Sequence, residues 1–233
     1  MMSYELWYWD GIPGRGEFVR LALEAGRIPY TEPPRERDGL LGPDLAAERM
    51  HPPFAPPYLK AGELVIGQTA NILLFLGERH GLAPDDVAGR LWVNQLQLTI
   101  ADWVVEAHDV HHPISSSLYY EDQKPEALRR AESFRTERLP KFLDYFSTAL
   151  TRNQPFLAGV SWSYADLSLF QVIEGLQHAF PRRMATLAPK HARVLEVHSR
   201  VAELPGIREY LQSPRRLPFG NGIFRYYPEL DAD

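Results

Sequence analysis

The chain has 233 residues, 45% of them hydrophobic and 24% charged, with a formal net charge of -5. That length supports one large domain or two modest ones, and neither a basic run nor an acidic tail points to nucleic acid or a charge-driven partner. Cysteine is absent, which excludes disulfides, thiolate metal sites and a cysteine nucleophile, so any thiol chemistry must draw its thiol from a ligand. The N-terminal run MMSYELWYWDGIPGRGE has no basic start and carries Glu5 and Asp10, unlike a secretory signal. No apolar window of about 18 residues suggests a membrane span. The expected location is cytoplasmic.

In chain order, Tyr4 to Trp9 reads as an aromatic strand stopped by Asp10-Gly11. Gly14 to Gly26 reads as an amphipathic helix with a glycine stop. Ile28 to Thr31 is a short strand, and Glu32 to Pro53 is polar and proline-rich, with a turn or two of helix near Asp44 to Met50. Pro57 to Leu59 and Leu64 to Ile66 read as a hairpin around Gly62, followed by a helix from Gln68 to His80 closed by Gly81. The order is β-α-β-loop-β-β-α, with a parallel first unit. Leu82 to Asp86 reads as a linker. Strand signals then cease, and helices are expected over about Val87 to Tyr120, Pro125 to Thr151, Tyr164 to Phe180, Leu187 to Glu203 and Gly206 to Gln212. The tail from Leu217 is expected to pack back irregularly.

Two features of the stretch FAPPYLKAGELVIGQTANIL carry chemistry. Pro56-Pro57 opens a strand without backbone donors, which suits either a cis bond that turns the chain toward a ligand or an edge strand entered through a proline-rich loop. Gln68-Thr69 opens a helix, where free N–H groups and the helix dipole favour a carboxylate; Thr69 serves equally as an ordinary N-cap.

Taken together, this arrangement resembles the cytosolic glutathione transferase family over nearly the whole chain, most strongly from Tyr4 to Gly81. The family pattern of Pro-x-Leu opening a strand and Gln/Glu-Ser opening the next helix is met by Pro57-Tyr58-Leu59 and Gln68-Thr69, and its spacing selects Pro57 as the cis proline. Ser163-Tyr164-Ala165-Asp166 matches a further family signature, read physically as a capping box with a role in folding. The resemblance implies a thioredoxin-like βαβ-ββα domain over residues 1–81 and an all-helical domain over residues 87–233 with its tail, the combination α/β plus all-α. It implies a homodimer, glutathione as co-substrate, no metal, and attack of the glutathione thiolate on a small apolar electrophile, as in detoxification. The alternative is a non-catalytic binding or assembly module of the same fold.

The family activates the thiol with Tyr, Ser or Cys near the end of the first strand. Cys is absent, and no Ser or Thr lies between Ser3 and Thr31, so Tyr8 is the candidate; Tyr4, at the strand start, is the alternative. The resemblance adds Arg15, in the turn Gly14-Arg15-Gly16, and Asp102, which would reach the γ-glutamyl amine across a dimer. With Pro56, Pro57, Gln68 and Thr69 these form the expected glutathione site. Trp9, Trp103, His108, Phe219 and Phe224 are candidates for the second-substrate pocket, against the plainer reading that they are core. His108-x-x-His111-His112 partly fits ligands on one helix face, but it lacks an H-E-x-x-H arrangement, and Pro113 interrupts the helix.

Three positions depart from the family. Pro56 has no N–H to pair with the cysteinyl part of glutathione, a loss on the order of 1 kcal/mol. No clear residue meets the glycyl carboxylate, leaving Arg35, Arg37, Arg49 and Lys60 as substitutes. Thr69 replaces Ser, keeping the hydroxyl.

Overall fold

Alternation in Tyr4–Trp7 makes strand β1, which buries Tyr4 and Leu6 and leaves Glu5 and Trp7 partly exposed. In the computed structural model, residues 3–33 and 50–232 are described; the turn of helix expected near Asp44 and the residues Arg35, Arg37 and Arg49 lie outside them. β1 pairs in parallel with β2 (Tyr30–Thr31) and antiparallel with β3 (Tyr58–Ala61), which forms a hairpin with β4 (Leu64–Gly67). The sheet order is β2-β1-β3-β4. Gly62, at φ 63°, supplies the left-handed residue of the hairpin turn.

Helix α1 (Gly16–Ala25) is buried from Gly16 to Leu23. It is enclosed because it packs against β1 and α2 as well as helices α6 and α9, defined below. The turn after it differs from the expected glycine stop. Gly26 keeps right-handed backbone angles, and Arg27 takes the left-handed conformation at φ 50°. Helix α2 (Thr69–His80) does end on a left-handed glycine, Gly81, whose N–H bonds the carbonyl of Gly77.

Helix α3 (Val87–Asp109) opens on Asp86, whose side chain accepts from the Gly89 N–H at 2.8 Å. It ends at Asp109 rather than continuing to Tyr120, because Pro113 disfavours helical geometry at His112. Next come α4 (Lys124–Ser133), a wider π-type turn over Phe134–Arg138, and α5 (Leu139–Arg152). Pro140 accounts for that turn: it has no N–H for the carbonyl of Thr136, and its ring crowds the preceding turn. Helix α6 (Tyr164–Ala179) follows. The helix expected over Leu187 to Glu203 starts later, as α8 (Ala192–Ala202), after a short turn containing Pro189, and an additional helix not expected from the sequence, α7 (Pro181–Leu187), precedes that turn. Helix α9 (Pro205–Leu211) completes the set. The tail packs back as expected: the Asp231 carboxylate accepts from the N–H groups of Arg182 and Arg183 at 2.8 and 3.1 Å, capping α7.

Helix α6 is the hub, packed against α1, α3 and α8. Its first turn is fixed by Asp166, fully buried, which accepts from the Ser163 N–H and hydroxyl and from the Leu157 N–H, each at 2.8 Å. Trp103 lies at the centre of the helical half, stacked on Phe142 at 5.0 Å and Phe146 at 5.7 Å, and fully buried. That placement corrects the expectation that Trp103 lines a substrate pocket: on the inward stripe of α3 it is core. A buried ionic network joins α1 to the C-terminal helices. Glu17 accepts from the Tyr210 hydroxyl at 2.7 Å and pairs with Arg20 and Arg216, while Arg20 also pairs with Glu32 at 2.8 Å.

Candidate active site

Strand register assembles the site. β1 pairs with β3 at Trp7–Tyr58, and β3 with β4 at Tyr58–Gly67. One residue further along each strand brings Tyr8, Pro57 and Gln68 to the same edge of the sheet. The Pro56–Pro57 peptide is cis. Gln68 caps α2 with φ 67° and ψ 122°, a strained conformation for a residue other than glycine.

Tyr8 is 5% exposed, and its ring is wrapped by the loop that leads into α1. Gly14, at φ 44°, and Gly16 allow this approach: a Cβ would fall 2.1 Å from the Tyr8 hydroxyl at the first and 2.6 Å from its ring at the second. The Arg15 backbone N–H donates to the Tyr8 oxygen at 2.8 Å. Burial raises the pKa of the phenol, against the lowering effects of that bond and of the Arg15 and Arg20 charges. Tyr8 therefore keeps its proton at neutral pH, and no acceptor among the described residues engages it. Tyr4 is occupied elsewhere, its hydroxyl 2.8 Å from His80 Nε2 at the far end of α2.

A cleft of about 550 Å³ opens between the mouth of α2 and the flank of α3. Arg15, Gln68, Thr69 and Asn71 line one side, and Asn94, Gln97, Leu98, Ala101 and Val105 the other. The Thr69 hydroxyl and the Gln97 side-chain oxygen are buried there without a hydrogen-bond partner among the described residues. Unpaired buried polar atoms are costly, and beside the free N–H groups of a helix N-terminus they suit a polar ligand. Gln97 was missed at the sequence level. Its signal was a polar residue on the otherwise apolar stripe Leu98, Ala101 and Val105, three residues after Asn94.

The other candidates are dispersed. Asp102 is exposed on α3, one position beyond the cleft-lining Ala101. Trp9 lines a separate cavity with Asp10, Arg20 and Glu32. Phe219 stacks on His178 at 5.1 Å and meets Phe224 edge-on at 6.1 Å. Lys60 is engaged with Glu5 at 3.8 Å and lies over the Trp7 ring. His108 is 3.5 Å from Asp109 and close enough to Arg15 for their charges to interact; burial lowers its pKa. No helix among the described residues is long and apolar enough to cross a membrane.

Comparison with known proteins agrees with this architecture. A family profile described as "Glutathione S-transferase, C-terminal domain" matches residues 108–214. Glutathione S-transferase Mu 2 of Rattus norvegicus is 28% identical over 225 residues, covering 93% of this chain and 94% of the rat protein. The glutathione S-transferase of Plasmodium falciparum is 21% identical over 220 residues, covering 88% of this chain and 93% of its own. Among solved structures, prostaglandin synthase D of Nilaparvata lugens superposes with a TM-score of 0.72 at 19% identity, covering 93% of this chain and all of that one. The Pi-class glutathione S-transferase of Onchocerca volvulus gives 0.71 at 21% identity, covering 91% and 93%. With a thioredoxin-like sheet half, a helical half and matches that run nearly end to end, the chain is similar to the glutathione S-transferases in fold and over most of its sequence.

Proposed function

We propose that the protein is a glutathione transferase whose sheet half, residues 1–81, binds glutathione and in which Tyr8 stabilises the thiolate. The observation that carries this reading is the Tyr8–Arg15 arrangement: a buried, protonated phenol whose oxygen accepts a backbone N–H and whose own proton is free to be donated. A thiol with a pKa of about 8.5 is mostly protonated at pH 7. A hydrogen bond from Tyr8 favours the ionised sulfur, and the Arg15 N–H strengthens Tyr8 as a donor by polarising its oxygen. The thiol proton leaves to solvent, and the sulfur lone pair forms the new bond to the electrophile as its leaving group departs. The γ-glutamyl carboxylate fits the mouth of α2, with the Thr69 hydroxyl and Gln68 as donors and Arg15 as countercharge. Asp102 would meet the γ-glutamyl amine from a second copy of the chain. The test is a calorimetric titration with reduced glutathione, followed by conjugation to a small activated aryl halide. Saturable binding with turnover is expected; binding and turnover both absent would overturn the assignment.

A second reading rests on Pro56, which offers no N–H for peptide-like pairing and would suit a non-catalytic binding module. Pro56→Val restores the donor. If glutathione is the ligand, this variant should bind it several-fold more tightly than the natural protein. Equal absence of binding in both supports the non-catalytic reading.

A further inference from the structure

At the end of α3 the structure gathers three imidazoles. One ring nitrogen from each of His108, His111 and His112 lies within 4.8 Å of the others. On a helix, residue i neighbours i+3 and i+4, whereas adjacent residues diverge by about 100°. Here the helix stops at Asp109, and the last turn closes through the His111 N–H to the His108 carbonyl at 3.2 Å. Pro113 then draws His112 out of helical geometry. As a result the His111 and His112 rings meet edge to face at 4.7 Å between centroids, with their Nδ1 atoms in contact, while His108 lies 4.9 Å from the first ring and 5.5 Å from the second.

We propose that His108, His111 and His112 form a binding site for a transition-metal dication of borderline softness, zinc foremost. Imidazole nitrogens select zinc, copper, nickel or cobalt over magnesium and calcium. Three histidines with an open fourth position is a known zinc donor set. With Zn–N bonds of about 2.1 Å, tetrahedral ligand atoms stand about 3.4 Å apart. To reach that spacing, the His111 and His112 nitrogens, now in contact, must part, while the His108 nitrogen already lies within 4.8 Å of both.

The surroundings supply a second, independent argument. The His111 Nε2–H donates to the Ile223 carbonyl at 2.8 Å, which turns the Nδ1 lone pair toward the cluster. The Asp109 carboxylate lies 3.5 Å from His108 Nδ1. A carbonyl on one ligand and a carboxylate on another are the outer partners that orient metal-bound histidines. His111 is 2% and His112 8% exposed, and the more open His108 offers the access route. Arg225, whose charge acts on all three rings, and Arg15, whose charge reaches His108, oppose a cation; Asp109 beside His108 and Glu121 near His112 act against them. Each neutral ring can bind by exchanging tautomers, so the proton between His111 and His112 moves to the outer nitrogen of His112 when the metal enters.

The test uses the metal alone, without glutathione. The purified, chelator-treated full chain is titrated with Zn²⁺ by calorimetry, and Co²⁺ uptake is followed by its visible absorption. One equivalent binding in the micromolar range or tighter is expected, with tetrahedral cobalt bands and a zinc-dependent rise in Tm. His108→Gln and His112→Gln should each weaken binding at least tenfold, and the triple variant should abolish it. If His111→Gln disturbs folding by releasing Ile223, the other two single variants still decide. Binding no tighter in the natural protein than in His108→Gln and His112→Gln would overturn the site. So would variants that lose Tm in the absence of metal while zinc leaves the natural protein unshifted, which would mark the cluster as a clamp on the C-terminal tail.

Discussion

The backbone N–H of Arg15 donates to the phenolic oxygen of Tyr8 at 2.8 Å, so the residue whose side chain lines the cleft also orients the hydroxyl. The chain from Tyr8 to Arg15 closes on itself through Gly14, whose missing side chain leaves room for the phenol. Tyr8→Phe removes the proton donor and keeps the ring. Conjugation at pH 7 should fall tenfold or more, with glutathione affinity roughly intact. The deficit should shrink above about pH 9, where the thiol ionises unaided. An unchanged rate at pH 7 would remove Tyr8 from the mechanism.

Thr69 makes a prediction with opposite signs in two measurements. Its hydroxyl is buried without a partner among the described residues, so Thr69→Val, nearly isosteric, should leave thermal stability unchanged or slightly higher. The same change should weaken glutathione binding by roughly tenfold, the scale of a lost hydrogen bond to a charged group. A variant that loses stability but binds glutathione normally would identify the hydroxyl as structural.

Asp166 is expected to matter for folding alone. Its carboxylate satisfies two buried backbone N–H groups and the Ser163 hydroxyl. Asp166→Ala leaves all three unpaired in the core and should cost about 3 kcal/mol or more in denaturant unfolding. Any folded fraction should retain its affinity for glutathione.

Glu106 gives a pH dependence with a defined sign. Burial alone would raise its pKa, but the hydrogen bonds and charge of Arg138, with Arg130, hold the carboxyl below the usual carboxylate range. A depressed folded-state pKa means that the stabilisation is present above the unfolded value of about 4.5 and is lost as pH falls through the folded value. Glu106→Gln should therefore destabilise the protein by about 1–2 kcal/mol at pH 7. The gap from the natural protein should narrow as pH falls below 4.5 and close once pH drops past the depressed folded-state value. A gap that persists at low pH would assign the effect to packing.

Much of this molecule is legible along the chain. The aromatic alternation of β1, the apolar faces of α1 and α2, the Gly81 stop, the hairpin at Gly62 and the Ser163–Asp166 cap follow from local chemistry, because each is decided within a few residues. The prolines set harder limits than their sequence context suggested. Pro113 ends α3 early, Pro140 loosens a turn, and Pro189 stands in the turn that delays the start of α8 to Ala192, since each removes a donor and crowds the preceding turn.

The sequence by itself determined that no cysteine takes part in thiol chemistry; Tyr8, as the hydroxyl near the end of the first strand, came from the family resemblance. It did not determine what those residues face. Tyr8, Pro57 and Gln68 are far apart in the chain and share a sheet edge only through strand register, which depends on pairing across the whole sheet. Trp103, the expected pocket residue, and Gln97, which was not expected there, lie on one helix, and packing sends Trp103 into the core and Gln97 to the cleft. The convergence of three histidines at the end of α3 likewise depends on where the helix stops and on the Ile223 carbonyl, 112 residues further along, that fixes His111. Local propensity acts over one or two turns; the orientation of a side chain toward ligand, core or solvent is settled by the elements that close around it.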